Sequence, residues 1–200
     1  QYAVVLAKTA GRTCLRMADA GLLPFDFRSF SKTVSGYIGE LTTLADQVRE
    51  NTALSNQLIK GNYYTYAGDP TVTLLPPPVK DEAPYLDFSP LQNAIRALEK
   101  ATDRLADTLG KQKLTTTASD AVNQALYRAE QQLLSDNGLP RRPWYKHTIY
   151  APGFYTGYGV KTLPGIREAI EQRNWKEAQE QIGIVAAVLK KFADYLDGIH

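Results

Sequence analysis

"GLPRRPWYKHTIYAPGFYTGYGVKTLPGI", residues Gly138 to Ile166, decides how the rest of the chain is read. Its glycines and prolines exclude a continuous helix. Its aromatic residues, Trp144, Tyr145, Tyr150, Phe154, Tyr155 and Tyr158, give it more to pack with than a plain linker has. Residues 147–150, "HTIY", are the best strand signal in the chain. A stretch this costly to order serves as a catalytic loop, a phosphate cradle or a structural clasp.

On both sides the sequence is helical. Upstream, Ala3, Ala7, Ala10, Cys14, Met17 and Ala18 recur at helical spacing, a stripe of small side chains suited to close packing, with Cys14 expected to be buried. Gly21 and Pro24 end that helix. Asp26 is a good N-cap for the next, whose Val34, Tyr37, Ile38, Leu41, Leu44, Ala45 and Val48 face a core and which is expected to reach about Lys60. Gly61 to Ser89 is an irregular proline-rich excursion, and its tyrosines (Tyr63, Tyr64, Tyr66, Tyr85) are expected to lie against the bundle. Ser89-Pro90 starts a helix, the serine as cap and the proline in the first turn, with Leu91, Ile95, Leu98, Leu105 and Leu109 as its stripe and Gly110 as its end. Ser119 or Asp120 is expected to cap another, running through Val122, Leu126, Ala129, Leu133 and Leu134. Past the opening stretch, Ile166, Ala169 and Ile170 begin a short helix. Trp175, Ala178, Ile182, Val185, Leu189, Phe192 and Leu196 line a long one. The fold class is therefore all-α, an up-down bundle of about four long helices joined by loops of unequal length, plus an N-terminal helix.

Composition narrows the functions. The 200 residues carry 44% hydrophobic and 22% charged side chains and a net charge of +2, which is ordinary globular composition and makes no case for nucleic acid. Arg141-Arg142 and Lys190-Lys191 are short basic clusters that read as solvated surface. One cysteine forms no internal disulfide. No apolar run approaches the roughly 20 residues needed to span a bilayer. The sequence shows no signal peptide and no Asn-x-Ser/Thr acceptor. Gln1 is an unusual natural start, so the chain reads as a fragment of a longer protein.

Catalytic chemistry finds no foothold. The two histidines are His147 and His200. No His, Cys, Asp or Glu spacing supplies three or four convergent zinc ligands. A nucleophile triad has only His147 to build on, and that residue reads as structural and hydrogen-bonded. Asp81-Glu82 reads as a solvated pair. "GFYTGYGVKT", residues 153–162, imitates a phosphate loop, but that motif needs glycine directly before its Lys-Ser/Thr pair. Val160 stands there instead.

The opening stretch also resembles the C-terminal helical dimerisation domain of the transferrin receptor and glutamate carboxypeptidase family. "GLPRRPWYKHTIYAP" followed by "LPG" and a helix is one part of the likeness. The others, in family order, are "ADAGLLPFDFRSFSKTVSGYIGEL", "LDFSPLQNAIRALEKATDRLADTL", "VNQALYRAEQQLLSDNGLPRRPWYKHTIYAP" and "WKEAQEQIGIVAAVLKKFADYL". The proline-rich segment departs from it and looks like an insertion.

The resemblance implies a domain layout. Residues 1–22 are the closing helix of a preceding protease-like domain, and residues 23–200 are the dimerisation domain, with 62–88 as its insertion loop. It implies a homodimeric parent with protease-like and apical domains, and a peptide substrate met through that parent. Two zinc ions belong to the parent's protease domain if the parent is active, and none of their ligands lies in this chain. Many members are membrane-anchored with a lumenal or extracellular ectodomain. The resemblance also implies that the clasp reaches the substrate: in glutamate carboxypeptidases a Lys-Tyr pair there binds the side-chain carboxylate of a C-terminal glutamate. Ungapped counting puts the tyrosine at Tyr158 and the lysine at Gly157, so the cation is missing, and Lys161 is the nearest substitute. Three readings stay open. The parent is a zinc exopeptidase, the parent is a catalytically dead receptor or trafficking scaffold, or the chain is an unrelated helical adaptor.

Overall fold

A computed structural model describes residues 1–69, 71–72, 75–111 and 116–199. Pro70, inside the proline-rich excursion, and His200 lie outside the described residues. Seven helices and one small hairpin make up the described part of the fold. It is all-α, as the periodicity predicts.

Helix α1, Tyr2–Ala18, contains no buried residue. Cys14 is exposed, against the expectation of a buried thiol. The small-residue stripe is real, but among the described residues no element covers it. Helix α2, Phe27–Lys60, starts where Asp26 predicts: the carboxylate accepts the Ser29 N–H at 3.1 Å and the Ser29 hydroxyl at 2.5 Å. At 1.5 Å per residue its 34 residues span about 50 Å. Up to Ala45 it buries Val34, Ile38, Leu41 and Ala45 with one polar residue, Ser31, whereas beyond Ala45 it buries only the polar Thr52 and Asn56.

That change of character has a cause in the proline-rich excursion. Asn56 donates to the Lys80 carbonyl at 2.7 Å and accepts the Lys80 N–H at 3.0 Å. Arg173 donates to the Thr52 hydroxyl at 2.7 Å and to the Asp81 carbonyl. Backbone groups thus pin residues 80–88 along the bundle, and Ala83 and Phe88 are buried there. The tyrosines do not do this. Tyr63, Tyr64, Tyr66 and Tyr85 are all exposed, the first three on or beside a single helical turn, α3, Tyr63–Tyr66. Tyr85 only supports the Arg49 guanidinium, 3.7 Å from its ring centre.

Helix α4, Ser89–Lys111, and helix α7, Trp175–Asp197, form the central pair. Leu91, Ile95, Leu98 and Leu105 on one side and Ile182, Val185, Leu189, Phe192 and Leu196 on the other belong to one buried cluster. Each such leucine or isoleucine contributes about 1.5–3 kcal/mol by leaving water. Ser89 is the first residue of α4 rather than its cap, and the Asp87 carboxylate receives its N–H at 2.9 Å. Helix α5, Thr116–Arg128, begins before the expected cap at Ser119 or Asp120. It tightens into a 3₁₀ turn, Ala129–Leu133, instead of running on to Leu134. The Leu133 carbonyl is taken by the Thr148 N–H at 3.3 Å and the Thr148 hydroxyl at 2.9 Å, so it is given to the clasp.

The strand signal was misplaced by a few residues. Strand β1 is Tyr150–Pro152 and pairs antiparallel with β2, Val160–Thr162, with Ala151 opposite Lys161. Only Tyr150 of "HTIY" joins the strand, because the Thr148 N–H and hydroxyl are both spent on the Leu133 carbonyl, outside the β1–β2 ladder. His147 makes only an isolated bridge to Leu134. Helix α6, Pro164–Glu171, follows at once: Leu163 turns into the left-handed region at φ 46° and Pro164 takes the first helical position.

Candidate functional site

The clasp between α5 and α7 has two parts. Its base is residues 133–152 with α6. The chain doubles back on itself there through Ser135 N–H to Lys146 carbonyl and Leu139 N–H to Tyr145 carbonyl, both 2.9 Å. Gly138 makes the turn at φ 65°, and a Cβ on it would lie 2.2 Å from the Pro143 carbonyl oxygen. Arg141, at φ 63°, is held by two parallel bonds to Glu177 of 2.9 and 3.0 Å.

At the centre of the base lies a buried ion pair. Arg142 and Glu168 expose 7% and 4% of their side chains. One arginine nitrogen, Nη2, reaches both carboxylate oxygens at 2.7 Å, and the other, Nη1, donates to the Pro152 carbonyl. Glu168 Oε1 also accepts the Phe154 N–H at 2.8 Å. This carboxylate on α6 therefore fixes the loop at Arg142, β1 through Arg142, and the hairpin turn at Phe154. Sequence reading took Arg141-Arg142 for solvated surface. Arg142 is instead buried, and its partner lies on another element with no local pattern to announce it.

His147 sits at the edge of the base. Its Nδ1 accepts the Ile149 N–H at 3.3 Å, which leaves the proton of the neutral ring on Nε2, and Nε2 stands 3.6 Å from Glu130 Oε1, beyond a hydrogen bond. Burial holds its pKa below the usual histidine range, and the Glu130 charge opposes only part of that. The Tyr150 hydroxyl donates to the same Glu130 oxygen at 2.8 Å, and that bond, with burial, raises its pKa.

The tip is residues 153–159. Gly153 N–H bonds the Gly159 carbonyl at 2.8 Å and closes the turn. Gly157 lies at φ 60° with open space where a side chain would go. Tyr158, the expected substrate contact, is fully exposed. Tyr155 is exposed, and Phe154 and Tyr155 meet edge to face at 4.8 Å. Lys161 sits on β2 with its ammonium on both Glu171 oxygens at 2.7 and 3.0 Å. A cavity of about 450 Å³ opens beside the hairpin, lined in part by Glu40, Thr156, Lys161 and Arg167. Tyr158 is absent from its lining. Among the described residues, no three His, Cys, Asp or Glu side chains are grouped to hold a metal ion, so the residues here do not fit a zinc site.

Helix, clasp and helix in this arrangement define a helical domain that presents one short hairpin. Residues 86–197 match the transferrin receptor-like dimerisation domain, and the chain belongs to that family. Its relatives include a probable glutamate carboxypeptidase of Arabidopsis thaliana, 27% identical over 99% of this chain and 25% of its own length. The aminopeptidase NAALADL1 of Mus musculus is 24% identical over 92% of this chain and 22% of its own. An inactive zinc metalloprotease of Schizosaccharomyces pombe is 31% identical over 36% of this chain and 9% of its own. The chain thus spans a quarter or less of the length of these relatives. Among the described residues no helix is long and apolar enough to cross a membrane.

Proposed function

We propose that this chain is the non-catalytic C-terminal domain of a glutamate carboxypeptidase-like protein, that it drives homodimerisation of the parent, and that its hairpin tip completes a substrate pocket. Residues 1–22 close the preceding protease-like domain and residues 23–200 form the dimerisation domain, with 62–88 as an added loop. The parent carries protease-like and apical domains, cuts peptides as a zinc exopeptidase with two zinc ions held outside this chain, and is anchored with its ectodomain in the lumen or outside the cell. The observation that carries this reading is the family match over residues 86–197, joined to a clasp whose base is rigid and whose tip is free.

Exposed apolar side chains support a role in association. Phe25 and Tyr127 rim a groove of about 350 Å³, and Val4, Val5 and Leu6 on α1 are exposed. Light scattering of the parent across concentrations tests the dimer; a monomer at high micromolar concentration would sink it. The Tyr158→Ala parent tests the tip: the expected result is weaker peptide binding with an unchanged fold. Zinc-dependent hydrolysis by the 200-residue chain alone would overturn its assignment as non-catalytic. A second reading is a catalytically dead scaffold, favoured by the likeness to the inactive metalloprotease. Zinc-loaded parent that binds peptides and cleaves none would support it.

A further inference from the structure

We infer that the hairpin tip selects a peptide with an uncharged, aromatic or aliphatic side chain where the two meet, and disfavours an acidic one. This rests on the reading that the tip reaches a peptide pocket. Residues 153–160, "GFYTGYGV", contain no charged residue. Their exposed large side chains are Tyr155, Tyr158, Val160 and, in part, Phe154, with the uncharged Thr156, Gly157 and Gly159 exposed between them. Tyrosine rings offer apolar faces with a hydroxyl at one edge, a good surface for another ring or a branched aliphatic group and a poor exchange for the hydration of a carboxylate.

The basic side chains around the hairpin do not supply the missing charge. Lys161 binds Glu171, and only 21% of its side chain is exposed. Arg167 binds Glu40 at 2.8 Å and the Thr162 hydroxyl at 2.8 Å. Arg141 binds Glu177 and Arg142 binds Glu168. Each of these four cations, among the described residues, is matched by its own carboxylate. An incoming acidic side chain would compete with a preformed pair at each one. The site is therefore electrically closed as well as uncharged at its tip, and Lys161 does not act as the cationic partner while Glu171 holds it.

The experiment uses the full parent protein and equilibrium competition binding, which reads a peptidase and a dead scaffold equally well. The probes are N-blocked dipeptide analogues whose scissile amide is replaced by an uncleavable methylene-amine bond, and they differ only in the C-terminal residue: phenylalanine, leucine or glutamate. The expected result is that the phenylalanine and leucine peptides bind at least about tenfold more tightly than the glutamate peptide. Glu171→Gln frees the Lys161 ammonium and is expected to tighten the glutamate peptide several-fold without helping the other two. Gly157→Lys, compared with Gly157→Gln to hold the positive φ and side-chain size constant, is expected to do the same. Tighter binding of the glutamate peptide by the unmodified parent, with Tyr158→Ala weakening all three peptides, overturns this inference and leaves the tip reading standing. Three affinities unmoved by both Tyr158→Ala and Tyr155→Ala, or no peptide binding at all, overturn the tip reading and this inference with it. A glutamate affinity unmoved by both Glu171→Gln and Gly157→Lys overturns the claim that charge at the hairpin sets the choice.

Discussion

Arg142 and Glu168 at the base of the clasp are buried, paired and each bonded to a backbone group, with Arg142 Nε left unpartnered, whereas Tyr158 at its tip is fully exposed. The two regions adjoin in the chain and obey opposite rules. The base concentrates hydrogen bonds, positive-φ turns and a desolvated charge pair. The tip has a backbone turn and uncharged side chains that stand in solvent. A loop built this way separates being held from making contact: the base fixes where the hairpin goes, and the tip is left to meet something else.

That contrast breaks most directly at Glu168. Glu168→Ala leaves the Arg142 guanidinium buried without its carboxylate and should cost about 3–5 kcal/mol, read as a lower denaturation midpoint. A loss below about 1 kcal/mol would mean the base is not the anchor. Gly138→Ala comes next. It forces an L side chain into φ 65° and into the Pro143 carbonyl, and it should cost at least about 1–3 kcal/mol by the same measurement. Thr148→Val removes a buried hydroxyl bond to the Leu133 carbonyl and should cost about 1 kcal/mol.

The pH dependence is smaller and its sign is fixed. His147 has a folded pKa below its ordinary value of 6.5, so the unfolded chain binds more protons in the window beneath 6.5. Stability is full above that value and declines as pH falls from 6.5 through the depressed folded pKa. His147→Gln should flatten this part of the stability-pH curve; an unchanged slope would assign it to other groups. At the tip, Tyr158→Ala should leave the unfolding midpoint where it was, because the ring is fully exposed. A clear drop would show that the tip is packed in solution and would erase the contrast.

The sequence revealed the long helices because their cores repeat. Asp26 announced α2, and the stripes of α4 and α7 fell at helical spacing and are buried as expected. The hairpin was hidden because its strands are three residues each, too short for alternation to register, and Pro152 ends one of them. Cys14 was misread because a stripe of small residues says that something packs there without saying that it lies in the same chain. The Arg142–Glu168 pair was invisible for a different reason. Burial of a charge depends on where two distant elements meet, and neither residue differs locally from a solvated one. At the candidate site, Tyr158 and Lys161 were named by resemblance. The Glu171 partner of Lys161 appeared only once β2 and α6 were folded against each other.

One carboxylate, Glu168, holds the loop at Arg142 and at the Phe154 N–H. One of its contacts is a backbone amide and the other is a side chain outside residues 153–160, so it reads nothing of the tip's own side chains. The exposed rings of the tip are therefore free to drift, while Gly157 at φ 60° keeps a backbone demand of its own. Substitutions at Tyr155 and Tyr158 change what the hairpin offers without changing whether it stands, which makes these two positions the place where lineages sharing the bundle would diverge in specificity first.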